Sequence, residues 1–246
     1  MAEQQPRVIL LDVEGTTTPV EFVYEVLFPF ARASVAEFLR RRGDSDDVRA
    51  DIGALKAERD ADIEAGRTPP DWLEDSAESA RESAARYALR LMDQDRKSAA
   101  LKSLQGKVWE EGYARGELRG VVYKDVRPAF GRWRAQGRGV YIFSSGSVLA
   151  QRLLFANTAE GDLTEYIGGN FDTTTGPKSS ADSYRAIAAS IGARPDDVLF
   201  ISDSTAELDA AREAGMRTAL CVRPGSGEPE TQTHTHVETF DILFPG

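Results

Sequence analysis

The sequence predicts an α/β protein with a doubly wound, mainly parallel sheet and an inserted helical domain. Two observations lead to this prediction. Short apolar runs alternate with helical patterns, which is typical of a parallel sheet with helices on its faces. A long stretch after the first run has almost no strand pattern and shows helical stripes instead. That stretch predicts a helical insertion between the first and second strands.

Four apolar runs have the length of buried parallel strands. The predicted strands are Val8–Val13, Gly139–Phe143, Val198–Ser202 and Thr218–Val222. Neighbouring helices are predicted over Pro128–Trp133, Ser147–Ala156, Asp182–Ile191 and Glu207–Ala214. Proline suits the start of a helix and glycine its end, as with Pro128, Gly192 and Gly215. The alternation indicates parallel strands joined by helical crossovers.

The predicted insertion contains two helical stripes of apolar residues. The stripes consist of Val48, Ile52, Leu55 and Ile63, and of Ala80, Ala84, Tyr87, Ala88 and Leu91. A segment rich in glycine and proline, residues 66–70, separates them. We therefore assign residues 1–17 and 124–246 to a discontinuous α/β core and residues 18–123 to a helical domain.

Composition and charge limit the classes of partner. The chain has 246 residues, enough for a large buried core, and a formal net charge of −10. An acidic protein without a basic patch repels nucleic acid, so we expect no such partner. We expect no membrane partner either, because no apolar stretch approaches the roughly 18 residues of a spanning helix. A phosphate site in this chain would need local positive charge, from a lysine and a metal ion.

Cysteine content and the terminal segments indicate the compartment. Cys221 is the only cysteine, so an internal disulfide is impossible and a reducing compartment is expected. The apolar run near the N-terminus is too short for a signal sequence. We therefore expect a cytoplasmic protein, and a monomer rather than an oligomer. Gly225–His236 is predicted to be a loop, and metal binding by His234 and His236 is not expected. Glu228–Glu238 carries no motif, so the sequence assigns no role to residues 226–246.

Acidic side chains stand where predicted strands end. Asp12 and Glu14 close the first strand, and Asp203 follows the third. Open α/β sheets bind ligands beyond the carboxyl ends of their strands. Carboxylates buried together repel unless a cation joins them, and Mg²⁺ takes one or two carboxylates with other oxygen ligands. This predicts one Mg²⁺ per chain, with one acid attacking phosphorus and another moving a proton. Taken singly, each acid is equally well explained as a helix N-cap or solvated turn.

Three further features support a phosphate site. The segment Ser144-Ser145-Gly146-Ser147 follows a strand and opens a helix, so its amides and hydroxyls can bind an anion. Lys178, in a turn before a helix, can neutralise both a phosphate and Asp12. Glu207 can contact Lys178 or a metal-bound water. Each also has a simpler explanation, as a helix cap, a surface lysine and a first-turn acid.

Together, in this order, these segments resemble the haloacid dehalogenase superfamily of aspartate-nucleophile phosphatases. The segment Asp12-Val13-Glu14-Gly15-Thr16-Thr17 has glutamate where most members have a second aspartate. It looks like the enolase-phosphatase (acireductone synthase) branch of methionine salvage. Other segments similar to that branch are Phe28–Phe30, Gly112–Tyr113, Gly116–Leu118, Tyr123–Pro128, Tyr141–Ser147 and Gly168–Thr173. The resemblance extends from about Val8 to Gly225.

The resemblance implies a role for each site residue. Asp12 would be the nucleophile and a Mg²⁺ ligand, and Glu14 the acid/base, reaching the metal by its backbone carbonyl. Asp203 would be the other carboxylate ligand. Ser144 and Ser145 would bind the substrate phosphate, and Lys178 would bind the substrate and balance charge. Beside what the resemblance implies, we expect Gly146 and Glu207 to support these residues from behind.

The resemblance also implies a substrate and a use for the insertion. The substrate would be 2,3-diketo-5-methylthiopentyl-1-phosphate, enolised first and then dephosphorylated to the acireductone. The helical insertion would be a cap that closes over the site and excludes water.

Other functions remain open from the residues alone. A phosphatase of another small metabolite, such as a sugar phosphate, would share these motifs and differ in the cap. A haloacid dehalogenase proper would need neither Mg²⁺ nor Asp203 as a ligand. A phosphoacceptor signalling module also combines Asp, Mg²⁺, Ser or Thr and Lys, but it lacks a long helical insertion and needs no acid/base at Glu14. Turnover of an activated phosphoester distinguishes an enzyme from such a module.

Overall fold

Residues 5–225 and 233–245 are described by a computed structural model of the chain. The chain divides into two compact units, one comprising Met1–Val23 with Arg119–Gly246 and the other Tyr24–Leu118. Residues 18–23 and 119–123, which the sequence analysis gave to the helical domain, thus belong to the first unit. Within the described residues, no helix is both long and apolar enough to cross a membrane.

The first unit contains a six-stranded parallel sheet, which confirms the predicted fold class. Its strands are β1 (Val8–Leu11), β2 (Gly139–Phe143), β3 (Ile167–Phe171), β4 (Val198–Ser202), β5 (Arg217–Cys221) and β6 (Thr235–Val237). Their order is β3-β2-β1-β4-β5-β6, and every neighbouring pair is parallel. The central strand β1 pairs with β2 on one edge and with β4 on the other. Its side chains alternate between the two faces of the sheet, and those of residues 9–11 are fully buried.

Strands β3 and β6 do not appear among the predicted strands. Two glycines interrupt the apolar pattern of β3, because a Cβ on Gly168 would lie 3.0 Å from the ring of Tyr141 on β2. The short edge strand β6 is polar, so its sequence resembles a loop. The prediction of a loop over Gly225–His236 is therefore wrong at Thr235 and His236, and residues 226–232 lie outside the described part.

Eight α-helices are described. They are α1 (Phe28–Arg42), α2 (Asp46–Glu64), α3 (Ala77–Asp93), α4 (Ala99–Ala114), α5 (Val126–Ala135), α6 (Val148–Ala156), α7 (Ala181–Ser190) and α8 (Thr205–Glu213). The last four flank the sheet, and residues of α7 and α8 pack with the strands around Leu10, Phe143 and Phe200 in one core. Helix α5 begins two residues before Pro128, so the proline occupies its first turn and not its first position.

Helices α1–α4 form the second unit. Ser76 and Ser98 cap α3 and α4 by accepting hydrogen bonds from the third backbone amide of each helix. The apolar stripe predicted on α2 ends early, because Ile63 is exposed while its neighbour Asp62 is buried. The Asp62 carboxylate accepts hydrogen bonds from Tyr87, Arg67 and Arg96, which compensate for its removal from water.

The strand order determines where a ligand can bind. The chain runs outward from β1 to β2 and β3, then returns to β4 on the other side of β1. At such a reversal the neighbouring connections leave the sheet on opposite faces, which opens a crevice at the carboxyl ends of the strands. The segments that follow β1 and β4 therefore border this crevice. Asp12 and Asp203 lie in these two segments.

Candidate active site

A tight turn after β1 holds Asp12 in a buried position. The amides of Thr16, Thr17 and Thr18 all donate to the carbonyl of Val13. Thr17 Oγ1 donates to the carbonyl of Asp12, at 3.2 Å. The turn closes through Gly15, whose φ of +72° is a left-handed conformation that other residues rarely adopt. These bonds fix the backbone that carries the Asp12 carboxylate.

The Asp12 carboxylate has a hydrogen-bond donor at each oxygen. Lys178 Nζ contacts Oδ1 as an ion pair, and Thr16 Oγ1 donates to Oδ2 at 3.3 Å. Lys178 Nζ also lies 2.7 Å from Glu207 Oε2. Burial lowers the pKa of Lys178, but the charges and hydrogen bonds of Asp12 and Glu207 outweigh it and raise that pKa above its ordinary value. The lysine is therefore held as a cation between two carboxylates.

Two side chains support Lys178 and its partner. Tyr184 of α7 donates its hydroxyl to the Lys178 carbonyl at 2.8 Å. Ser202 Oγ donates to Glu207 Oε2 at 2.9 Å. Both Tyr184 and Ser202 are fully buried. The position of the ammonium group is thus set by bonds to its backbone and to its partner carboxylate.

Glu14 lies on another side of the site, beside the loop after β2. Ser144 Oγ donates a hydrogen bond to Glu14 Oε2 at 3.2 Å. Ser144 Oγ also accepts a hydrogen bond from the amide of Gly146 at 3.0 Å. Burial and the negative charge of Asp12 raise the pKa of Glu14. A carboxyl group with a raised pKa is suited to exchanging a proton near neutral pH.

The loop from Ser144 to Ser147 is held at several points. Ser147 caps α6 by accepting from the Ala150 amide, and Asp172 accepts from the Val148 amide at 3.2 Å. Gln151 donates to the Gly146 carbonyl at 2.9 Å. Ser145 is exposed, and in the part of the chain that the structure describes its hydroxyl bonds none of the other site residues. Hydrogen bonds thus hold the backbone on both sides of an exposed serine.

Asp203, after β4, packs against the turn that carries Asp12. A Cβ on Gly15 would lie 2.1 Å from Asp203 Oδ2, so the glycine makes room for this carboxylate. Partial withdrawal from water and the charge of Asp12 raise the pKa of Asp203 to about 6. The geometry places the two aspartates on either side of the β1–β4 crevice.

The donor set suits a hard divalent cation. Asp12, Glu14, Asp203 and Glu207 bring four carboxylates near one ammonium group, and the charge of Asp12 raises the pKa of the other three. Among the described residues, no three His, Cys, Asp or Glu side chains already form a metal-binding cluster. Mg²⁺ needs only one or two carboxylates, with backbone, water and phosphate oxygens as its other ligands. The oxygen donors of Asp12 and Asp203 fit that requirement.

The structure brings together most of the predicted residues and adds others. Contacts join Asp12, Lys178 and Glu207, and separately Glu14, Ser144 and Gly146. Supporting residues that sequence reasoning did not assign are Thr16, Gln151, Asp172, Tyr184, Ser202 and Arg223. Of these, Thr16 and Ser202 stand beside predicted site residues, and Arg223 is a charge directly after a predicted strand. Tyr184 and Gln151 carry no such signal, because they are helix residues.

Comparisons with known proteins agree with this fold. The haloacid dehalogenase-like hydrolase family matches residues 6–215. The enolase-phosphatase E1 of Synechococcus elongatus is 51% identical over 235 residues, which cover 96% of each chain. That of Sorangium cellulosum is 45% identical over the full length of both chains. The crystal structure of the UTR4 protein of Saccharomyces cerevisiae is 33% identical, with a TM-score of 0.77 over 97% of this chain and 100% of that one.

The matched relatives cover nearly the whole chain, including both the sheet and the helical unit. The chain therefore belongs to the haloacid dehalogenase-like hydrolase family and, within that class, to the enolase-phosphatases E1.

Proposed function

We propose that the protein enolises 2,3-diketo-5-methylthiopentyl-1-phosphate and then dephosphorylates it to the acireductone, as a step of methionine salvage. The observation that carries the proposal is the pairing of two differently placed acids. Asp12 is buried and ion-paired with Lys178, whereas Glu14 has a raised pKa and a serine partner. The enolase-phosphatases E1 among its relatives support the choice of substrate.

Phosphoryl transfer begins with attack by the Asp12 carboxylate. Lys178 fixes one oxygen of Asp12 and balances charge, and Ser144 and Ser145 with the amides of their loop bind the phosphate oxygens. Glu14 gives a proton to the leaving oxygen as the aspartyl-phosphate forms. Water then hydrolyses the aspartyl-phosphate, with Glu14 taking its proton. Phosphate is released and Asp12 is regenerated.

We also propose that one Mg²⁺ binds per chain. Asp12 and Asp203 would hold it with their carboxylates and Glu14 with its backbone carbonyl. When bound, the ion would neutralise phosphate charge. Glu207 and Gly146 would support the site without contacting the substrate or the ion. Glu207 forms an ion pair with Lys178, and the Gly146 amide donates a hydrogen bond to Ser144.

Enolisation requires a base that removes a proton from C1, the carbon bearing the phosphate ester. The electron pair moves to the neighbouring carbonyl oxygen, which takes a proton from water to give the enol. We assign this role to Glu14 as well. The C1 proton and the ester oxygen lie on neighbouring atoms, and the Glu side chain, one methylene longer than Asp, can serve both. Lys178 is a poorer base, because its two carboxylate partners hold it protonated.

The first test is phosphate release from the diketone phosphate, with and without Mg²⁺, by the wild-type protein and Asp12→Asn. The substitution keeps the shape of the side chain and removes the nucleophilic charge. We expect kcat to fall about 10³-fold or more. Substantial activity in Asp12→Asn would contradict the nucleophile assignment. Rapid turnover of sugar phosphates but not of the diketone phosphate would favour another metabolite.

The second test separates enolisation from dephosphorylation. Deuterium exchange at C1 of a non-hydrolysable phosphonate analogue reports proton removal alone. We expect Glu14→Gln to slow this exchange strongly, while Asp12→Asn, with its phosphate-binding loop intact, retains much of it. Wild-type exchange in Glu14→Gln would show that another group is the base.

The remaining proposals concern the setting of the reaction. We propose that the helical unit, Tyr24–Leu118, acts as a cap that excludes water from the reaction, and that the protein works as a monomer in the cytoplasm. The single buried cysteine, Cys221, supports a reducing compartment. Size-exclusion chromatography with light scattering tests the monomer.

A further inference from the structure

Arg223 is a buried cation directly after β5, outside the residues that contact substrate in the proposed reaction. Only 3% of it is exposed. Its guanidinium group lies between two aromatic rings, 4.2 Å from the centroid of Tyr123 and 4.5 Å from that of Phe240. A guanidinium group can stack on aromatic faces while its edge donates hydrogen bonds in the plane.

The edge of this guanidinium group connects three segments. Nε and Nη2 both donate to the carbonyl of Thr16, at 2.9 and 2.6 Å. Nη1 is 2.7 Å from Asp125 Oδ2, and the same carboxylate oxygen accepts from the Phe240 amide at 2.6 Å. Nη1 also donates to the carbonyl of Glu238, at 3.3 Å. Arg223 thus joins the Asp12 turn to residues 123–125 and to the C-terminal segment.

The position of the Thr16 peptide affects the Asp12 carboxylate directly. The side chain of Thr16 donates to Asp12 Oδ2, and its amide donates to Val13. A second tie acts nearby, where the Tyr123 amide donates to the Thr17 carbonyl at 3.0 Å. Movement of the Thr16 peptide would therefore shift the Asp12 carboxylate away from Lys178.

We propose that Arg223 is a positioning residue that fixes the nucleophile turn through the Thr16 carbonyl. The inference rests on the proposed role of Asp12. Glu238 and Phe240 of the C-terminal segment also contact the guanidinium group, but the effect on the nucleophile passes through the Thr16 carbonyl. Lysine could keep the charge but could not stack between the rings and donate two bonds to Thr16 while pairing with Asp125.

Arg132 on α5 provides a matched control. It donates to the carbonyls of Phe240 and Leu243 at 2.7 and 3.3 Å, and to that of Phe244 at 3.2 Å. It therefore holds the same C-terminal segment by the same kind of bond. None of its described bonds reaches the Asp12 turn. Arg132→Lys should loosen the C-terminal segment without moving the nucleophile.

The experiment compares Arg223→Lys and Arg132→Lys in the full chain, with the diketone phosphate and with p-nitrophenyl phosphate. We expect kcat of Arg223→Lys to fall about 10- to 100-fold with KM within about twofold, because misplacement of a reacting group by about 1 Å can cost that much. Arg132→Lys should stay within about twofold of wild type. Guanidinium added to Arg223→Ala should restore part of the lost kcat.

Hydrogen exchange provides a readout that does not depend on turnover. The amides of Thr16–Thr18 should exchange faster in Arg223→Lys and at the wild-type rate in Arg132→Lys. Equal losses in both variants, or unchanged exchange in the turn, would overturn the proposal. Wild-type turnover of p-nitrophenyl phosphate without turnover of the diketone phosphate would refute the proposed substrate alone, and the comparison of the two variants would still decide the role of Arg223.

Discussion

At the scale of single residues, the positions of Asp12 and Asp203 both depend on Gly15 having no side chain. Its left-handed backbone closes the Asp12 turn, and its lack of a Cβ leaves space for Asp203. Both properties are needed at one position. A residue with any side chain would strain the turn and displace a carboxylate at the same time.

We predict that Gly15→Ala lowers phosphate release about 10²-fold, because the added methyl group would displace Asp203. The left-handed backbone adds a cost of about 1–2 kcal/mol in stability. Gly137→Ala is the control, since Gly137 has φ +73° but no atom within 4 Å of an added Cβ. It should lose similar stability and keep its activity. Equal activity of the two variants would argue against a role for the Gly15–Asp203 contact.

Glu14 and Asp12 differ in environment although they are two residues apart. Asp12 has a cation at one oxygen, whereas Glu14 has a serine hydroxyl and the repulsion of Asp12. Two carboxyl groups with different surroundings can perform nucleophilic and acid/base steps side by side. Glu14 thus has a hydrogen-bond donor of its own, Ser144, separate from the partners of Asp12.

At the scale of elements, the buried carboxylate of Asp62 joins α2 to α3 and to the loops that follow these two helices. Hydrogen bonds from Arg96, Tyr87 and Arg67 hold the pKa of Asp62 well below its ordinary value, although burial opposes them. A carboxyl group with a lowered pKa in the folded state stabilises the fold above its unfolded pKa of about 3.9. That stabilisation is lost as the pH falls through the folded-state pKa.

We predict that Asp62→Asn lowers the free energy of unfolding by about 2 kcal/mol at pH 7 and reduces its decline between pH 4 and pH 2. Asp60→Asn on the same helix is the control, because its side chain is half-exposed and pairs only with Arg59 among the described ion pairs. Exposed pairs contribute about 0–1 kcal/mol. Urea unfolding followed by circular dichroism measures both variants. Identical acid profiles for Asp62→Asn and wild type would contradict the assignment.

The sequence predicted elements well where side chains alone determine them. The runs of β1, β2, β4 and β5 are apolar because both faces of those strands are covered. Strand β3 could not be predicted, since its glycines depend on the Tyr141 ring of a neighbouring strand. The burial of Asp62 likewise depends on distant partners, Tyr87 and Arg96, that periodicity cannot reveal.

The same distinction applies to the site. Asp12, Glu14 and Asp203 follow strands, so the topology of a parallel sheet brings them to one edge. Whether Lys178 reaches Asp12 depends on the path of a loop, and from its own segment alone a surface lysine was the better-supported interpretation. Arg223 has its function through Thr16, a contact between residues far apart in the chain. Such contacts require the folded structure.

At the scale of the whole molecule, the net charge of −10 makes cation binding a matter of global as well as local electrostatics. We predict that Mg²⁺ raises the thermal unfolding temperature of the wild type. At a concentration 100-fold above Kd, it should add about 2.7 kcal/mol to the free energy of unfolding. Asp203→Asn should lose most of this increase. The measurement is differential scanning calorimetry with Mg²⁺.

Sodium chloride at matched ionic strength corrects for general screening of the acidic surface. Asp196→Asn, which removes an exposed carboxylate paired with Arg194, should keep the full Mg²⁺ effect. An equal Mg²⁺ response in Asp203→Asn and Asp196→Asn would show that Asp203 is not a ligand. The readout depends on binding alone, so it stands apart from the tests of activity.

The central place of β1 has a consequence for synthesis of the protein. Val8–Leu11 leaves the ribosome long before its partners β2 and β4, which begin only at Gly139 and Val198. The helices between them pair with near neighbours in sequence and can form while translation continues. An apolar strand must therefore remain without its partners while more than a hundred residues are added, so the nascent chain should depend on chaperones until β4 emerges.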